Sequence, residues 1–272
     1  MQISVLMSVF IRENPVFLKA AIESIFNQTL PADEVVIVKD GLLTEQLEGI
    51  LSDFKKLYPS KFKTHGYKVN KGLGFALNFG LKNCSNELIF RMDTDDIALP
   101  FRFEKQVNAF NKNPKLVIVG SSIQEFNNVP GDLNQYRNTP LSSLDIENNK
   151  LSRNPFNHMT VAFKKSYIES VGGYRDMAGY EDYYLWLRLL RKYKNCGFNI
   201  KESLVYARVG NNMISRRQGR LFFQKEYFFQ KQLLKDNIIN NTIFFKNLIM
   251  RGLPRFLPTS VLTKFYKLFL RL

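Results

Sequence analysis

Short, continuous apolar runs alternate with amphipathic stretches through the first hundred residues, and that alternation leaves few folds open. ISVLMSVF (3–10), DEVVIVKDG (33–41) and NELIFRMD (86–93) are rich in Val, Ile and Leu at both odd and even positions. Strands read this way when helices cover both faces of their sheet. Between the first two, NPVFLKAAIESIFNQT has apolar residues at 18, 21/22 and 25/26, with Asn14 as N-cap and Pro15 at the first helical position. An amphipathic helix is predicted over about 43–58, then a short strand KFKTHGY, then NKGLGFALNFGLKNC (70–84), which opens with two glycines and turns helical. This order predicts an α/β fold: a Rossmann-like, mostly parallel central sheet with helices on both faces, binding ligands beyond the carboxyl ends of its strands.

The pattern continues with a helix in PFRFEKQVNAFNKN and a strand in KLVIVGSSIQEF (115–126). Residues 127–153 are polar and irregular, and NHMTVAFKKSYIESVGGY then gives a strand and a short helix. GYEDYYLWLRLLRKY (179–193) and RLFFQKEYFFQKQLLKD (220–236) are strong helix signals on either side of a strand at 203–209.

Asp93, Asp95 and Asp96 fall within four positions at the end of a buried strand. Crowded carboxylates repel one another in a partly desolvated crevice, and a hard divalent cation such as Mg²⁺ or Mn²⁺ relieves that repulsion. Asp95 and Asp96 also suit helix capping. A calcium loop starting at Asp93 fails, because Ile97 and Ala98 stand where a ligand and the turn glycine belong. An aspartyl-phosphatase reading of DTDDI needs the first strand of a domain, and this is the fourth.

The chain carries a net charge of +15, which calls for an anionic partner, yet no nucleic-acid motif accompanies it. Two distant cysteines, Cys84 and Cys196, fit a reducing compartment. No signal peptide and no apolar run near the roughly 18 residues of a membrane span is read from the sequence.

In order, SVLMSVFIREN, VVIVKDG, NKGLGFALNFG, FRMDTDDIALPFRF and GYEDYYLW resemble a family 2 glycosyltransferase with the GT-A fold, over about residues 1–220. They are most similar to bacterial enzymes that assemble O-antigen, capsule or exopolysaccharide repeat units. The resemblance implies an inverting, metal-dependent hexosyltransferase that moves a glucose- or galactose-type sugar from a UDP-sugar to a polyprenyl-diphosphate-linked saccharide. It also implies a nucleotide-sugar half at about 1–115 and an acceptor half at about 116–220.

Carried onto this sequence, the resemblance makes Asp95 the main ligand of Mn²⁺ or Mg²⁺, with Asp93 and Asp96 near it and Thr94 beside the donor. Asp40 would contact the nucleobase, in a pocket lined by Ser8 and Val9, although an Asp before Gly41 is equally an ordinary turn residue. Lys71 and Gly72 would approach the diphosphate, and Arg216 and Arg217 would close over it. Asp182, with Glu181 as second choice, would be the base that accepts the acceptor hydroxyl proton. Trp186 would offer the acceptor sugar a stacking surface, or pack in the core; His158 would touch the acceptor, or serve the structure. A nucleotidyltransferase of related architecture and a non-catalytic sugar-nucleotide binder are the alternatives.

Residues 221–272 read as a helical, amphipathic extension with no acidic residue after Asp236. On a helix over 259–272, Val261, Leu262, Phe265, Leu268, Phe269 and Leu272 share one face and Lys264, Lys267 and Arg271 another. That pattern predicts peripheral attachment to an anionic membrane, at the cytoplasmic face of the cell membrane, or packing on the domain or in an oligomer.

Overall fold

The computed structural model describes residues 1–177, 179–209 and 219–256. The opening alternation is β1 (Ile3–Val9), α1 (Pro15–Phe26), β2 (Glu34–Asp40), α2 (Glu45–Leu57), β3 (Phe62–Tyr67), α3 (Leu73–Asn83) and β4 (Leu88–Arg91). Asn14 caps α1 as its sequence predicts, its Oδ1 accepting from the Val16 N–H at 2.8 Å, with Pro15 next in the chain. Thr44 caps α2 in the same way, accepting from the Leu47 N–H at 3.3 Å.

The second half supplies β5 (Ile97–Ala98), α4 (Arg102–Lys112), β6 (Ile118–Phe126), β7 (Gln135–Arg137), α5 (Ser143–Asn149), β8 (Ala162–Lys164), α6 (Lys165–Ser170), α7 (Glu181–Lys192) and β9 (Gly197–Arg208). Helices α8 (Gly219–Lys235) and α9 (Asn241–Asn247) follow, then a π turn at Leu248–Gly252. Among the described residues these strands form one sheet in the order β3-β2-β1-β4-β8-β6-β9-β5, with β7 on β6. Strands β1–β4 are mutually parallel; β8 lies antiparallel between β4 and β6, and β9 is parallel to β6. Only the short β5, β7 and β8 oppose the common direction, so the sheet is mostly parallel as expected. The irregular stretch 127–153 holds β7 and α5, and β9 begins six residues before the strand read at 203–209.

Alternation along the strands divides the core. Val5, Met7 and Val9 face α1, α2 and α4, with Leu18, Leu47 and Phe103 on those helices. Leu6, Val36, Val38 and Ile89 face the opposite layer of α3, α6 and α7, with Leu77, Ile168 and Leu185. A third cluster joins Tyr180, Tyr183, Tyr184 and Leu187 at the start of α7 to Phe229, Leu233 and Phe244 of α8 and α9. The C-terminal helices are therefore packed on helix α7. The helix expected over 259–272 lies outside the described residues, as do Arg216 and Arg217. No helix among the described residues is long and apolar enough to cross a membrane.

Candidate active site

Parallel strands deliver their carboxyl ends to one edge, and there β1, β2 and β4 open a crevice. The chain leaving β4 is pinned by its neighbours. Ile97 and Ala98 pair with Tyr206 and Val205 of β9, which carries Arg208 alongside. The Arg208 backbone N–H donates to Asp96 Oδ1 at 2.8 Å, its Nε donates to the Asp95 carbonyl at 3.1 Å, and its guanidinium lies 3.7 Å from the Phe17 ring centroid. From below, the fully buried Arg102 donates to the Arg91 carbonyl at 2.7 Å. FRMDTDDIALPFRF thus holds its own loop in place, using the arginine at its far end.

The three aspartates have different surroundings. Asp93 pairs with the buried Arg91 guanidinium. Asp96 is buried and engaged by Arg208, and its carboxyl is raised well above the usual range by burial and by the Asp93 and Asp95 charges. The Asp95 carboxylate accepts from its own backbone N–H and, among the described residues, from no other group. Burial, Asp93 and Glu13 push it up to about 7. Glu13, from the loop after β1, accepts from the Thr94 hydroxyl and adds a fourth carboxylate.

Such a set suits a cation chemically, because burial and the Asp93 and Glu13 charges outweigh the Arg91 charge at Asp95. The three aspartates are not equally open to such a cation. Among the described residues no three His, Cys, Asp or Glu side chains converge as a metal cage. Asp93 is committed to Arg91 and Asp96 to the Arg208 N–H, which leaves Asp95 as the open ligand.

Asp40 is bonded within its own chain. Its Oδ1 accepts from Tyr67 Oη at 2.8 Å and the Lys71 N–H at 2.7 Å; its Oδ2 accepts from Asn70 Nδ2 at 3.0 Å and the Gly72 N–H at 3.1 Å. Two bonds on each oxygen fill the carboxylate's acceptor sites. It therefore shapes the glycine loop, the turn role read beside the nucleobase contact. Gly72 takes φ +87°, a conformation glycine adopts without strain, and passes the chain into α3. Lys71 is exposed, its Nζ 4.5 Å from the Phe75 ring centroid. Ser8 is half-buried at the end of β1, while the Val9 side chain is in the core and only its backbone borders the crevice.

The N-termini of α3 and α7 meet. A Cβ on Gly74 would lie 3.4 Å from Glu181 Cγ and 3.7 Å from Tyr174 Cβ. Glu181 Oε2 accepts from the Gly179 N–H at 2.9 Å, a local turn contact. Asp182 Oδ2 accepts from Asn154 Nδ2 at 2.7 Å. Burial raises the Asp182 carboxyl to about 6 against the bonds from Tyr183 and Asn154 that favour its charge. At neutral pH such a group is ionised yet more basic than a surface aspartate. His158 Nε2 lies 3.0 Å from Tyr174 Oη, and burial with the nearby Arg91 charge keeps its imidazole neutral.

Trp186 is fully buried, packed among Phe156, His158, Phe163 and Tyr174. That corrects the reading of its side chain as a stacking surface: being four residues from Asp182 turns it beneath the site, into the core.

Arg91 links the two acidic centres. Its charge bears on Asp95 and Asp96 on one side and on His158, Tyr174 and Asp182 on the other. Sequence reasoning passed over it, along with Glu13, Asn154 and Arg208. An arginine inside the apolar run LIFRMD was an available signal, because a fully buried guanidinium requires charged or polar partners. Glu13, Asn154 and Arg208 carried no local signal; topology alone brings them in.

The family model described as glycosyl transferase family 2 matches residues 4–172. An uncharacterized glycosyltransferase of Haemophilus influenzae is 44% identical over 271 residues, covering 100% of both chains. The Escherichia coli UDP-Gal:alpha-D-GlcNAc-diphosphoundecaprenol beta-1,3-galactosyltransferase is 38% identical over 268 residues, 98% of this chain and 96% of that one. In fold, the Pyrobaculum calidifontis mannosyltransferase PcManGT, solved with GDP-Man and Mn²⁺, superposes with a TM-score of 0.67 at 14% identity, over 98% of this chain and 75% of that one. The nucleotidyltransferase and non-catalytic alternatives fall away: the chain has the GT-A fold, belongs to glycosyl transferase family 2, and is a glycosyltransferase.

Proposed function

We propose that this glycosyltransferase is inverting and metal-dependent, and that it transfers a glucose- or galactose-type hexose from a UDP-sugar to a polyprenyl-diphosphate-linked saccharide in bacterial surface polysaccharide synthesis. The observation that carries this is a pair of acidic centres that share the charge of Arg91: the crowded carboxylates around Asp95, and Asp182 raised to about 6. Direct displacement needs two separate devices, one for the leaving diphosphate and one for the acceptor proton. The galactosyltransferase relative is named for a UDP-galactose donor and a diphosphoundecaprenol acceptor, and the mannosyltransferase neighbour was solved with Mn²⁺.

In this reading residues 1–115 hold the donor and 116–220 the acceptor. Mn²⁺ or Mg²⁺ on Asp95 supplies neutralisation of the charge growing on the departing diphosphate. Lys71 and the Gly72 backbone border that diphosphate, and Arg216 and Arg217 are its further cationic partners. Ser8 and the Val9 backbone line the base, and Thr94, oriented by Glu13, faces the donor. His158, neutral, contacts the acceptor as a hydrogen-bonding partner. Asp182 takes the acceptor hydroxyl proton as that oxygen bonds to the anomeric carbon; the bond to the diphosphate breaks with its electron pair, inverting the configuration. Glu181, turned to Gly179, shapes the helix start behind Asp182.

Incubation with UDP-glucose, UDP-galactose or their N-acetyl forms, with Mn²⁺ and a synthetic lipid-diphosphate saccharide, tests the reading. A β-linked product from an α-linked donor, seen by NMR, is expected. A retained anomeric configuration, or full turnover in excess chelator, overturns the mechanism.

A further inference from the structure

Helices α8 and α9 hide their acids and display their cations and rings. The segment 219–256 contains two acidic residues, Glu226 and Asp236. Glu226 is fully buried, accepting from Tyr180 Oη at 2.7 Å and facing Arg251 Nε at 3.3 Å. Asp236 accepts from the Tyr184 hydroxyl and from Gln232 Nε2, the latter at 2.9 Å. Outward, along one stripe of α8, run Leu221, Gln224, Phe228, Lys231 and Lys235, all exposed. Phe228 and Phe245 are each 61% exposed and Ile249 58%. Ring contacts connect the exposed Phe228 to the exposed Phe245 through Tyr227 and the buried Phe244, at centroid separations of 5.9, 6.1 and 5.3 Å. Lys246 stands exposed beside Phe245.

We infer that this face of α8, α9 and the π turn is a docking surface for an anionic lipid bilayer, with Phe228, Phe245, Ile249 and Met250 entering the interface and Lys231, Lys235 and Lys246 meeting the headgroups. Apolar side chains are usually scattered on a surface; a joined set rimmed by lysines, with neighbouring carboxylates turned inward, fits a negatively charged interface. The inference goes beyond the chemistry proposed for the crevice, since it rests on packing and charge in a different part of the chain. It also gives the location a purpose. Tyr180, stacked on Phe229 at 4.5 Å, directly precedes Glu181 and Asp182, so the docked helices are joined to the element that carries the proposed base.

The full-length protein is sedimented with vesicles of phosphatidylglycerol and phosphatidylcholine, or of phosphatidylcholine alone, without donor or acceptor. Binding to the anionic vesicles is expected to be at least tenfold tighter, and to weaken as salt rises. Phe245→Ser with Ile249→Ser, and separately Lys231→Glu with Lys235→Glu, should each lower it at least tenfold while the thermal midpoint and turnover of a short-chain soluble acceptor stay put. As a check independent of any lost fold, Phe245→Trp should gain a blue-shifted fluorescence component with anionic vesicles. The inference is overturned if wild type ignores both vesicle types. It is equally overturned if neither pair of substitutions changes binding, or if the serine variant converts a dimer to a monomer with vesicle binding intact, which marks the face as a contact between copies.

Discussion

Asn78 grips Tyr174 by both of its backbone groups, Oδ1 accepting from the N–H at 2.8 Å and Nδ2 donating to the carbonyl at 2.6 Å. One side chain of α3 thereby fixes the loop whose Tyr174 hydroxyl meets His158. Gly173 at φ +61° lies against the same amide, where a Cβ would collide with Asn78 Oδ1. Asn78→Ala leaves a part-buried N–H and carbonyl unpaired, so a loss of about 2 kcal/mol is expected in urea unfolding. Turnover should fall more than in Asn78→Asp, which keeps the acceptor.

Asp182 has opposite signs in activity and stability. Its folded pKa of about 6 lies above the ordinary 3.8, so kcat/KM should rise with pH and level off above about 6. The folded protein holds this proton more tightly than the unfolded chain does. The group's stabilising share is therefore present below the unfolded pKa and lost as pH rises through the folded one. Asp182→Asn should lose about 10²–10⁴ in rate, melt higher than wild type at pH 8, and match it at pH 4. A lower midpoint at pH 8 would count against a strained charge at this position.

If Asp95 is the open ligand, the thermal shift given by UDP should grow when Mn²⁺ is added, and that increment should vanish in Asp95→Asn. Asp93→Asn should keep part of it, because Asp93 is held by Arg91. Equal loss in both variants would restore the three-aspartate arrangement.

Trp186→Ala removes a fully buried indole and should cost about 3–5 kcal/mol in unfolding free energy. The acceptor KM of the milder Trp186→Phe should match wild type, and acceptor should not quench the Trp186 fluorescence. Quenching would put the ring back at the binding surface.

Asp40→Ala strips one acceptor group from four donors and is expected to destabilise by about 3 kcal/mol. If Asp40 shapes the loop and does not read the base, the preference for UDP over GDP should survive the substitution. A selective loss of UDP binding would return it to the nucleobase.

Much of this architecture was legible before any coordinates. Buried strands such as ISVLMSVF announce themselves by composition, and Asn14-Pro15 marks its helix start by local chemistry. The crevice followed from strand direction alone. Partnerships between distant residues were not legible: that Asp96 would meet the Arg208 N–H, 112 residues away, depends on the register of β5 on β9. Trp186 misled because helical spacing places a side chain on a face without saying whether that face is wet. Asp40 stayed open between two roles because, in sequence, a strand-end carboxylate looks the same whether it meets a ligand or its own chain.

The saturation of Asp40 also bears on how such a protein diversifies. The backbone of residues 70–72 takes its shape from one internal carboxylate, while Lys71, Leu73 and Phe75 project outward from it. None of those three side chains donates to Asp40, so changing them leaves its four hydrogen bonds in place. New binding preferences are open to the lineage at the tips of its side chains, while Asp40 is closed to change.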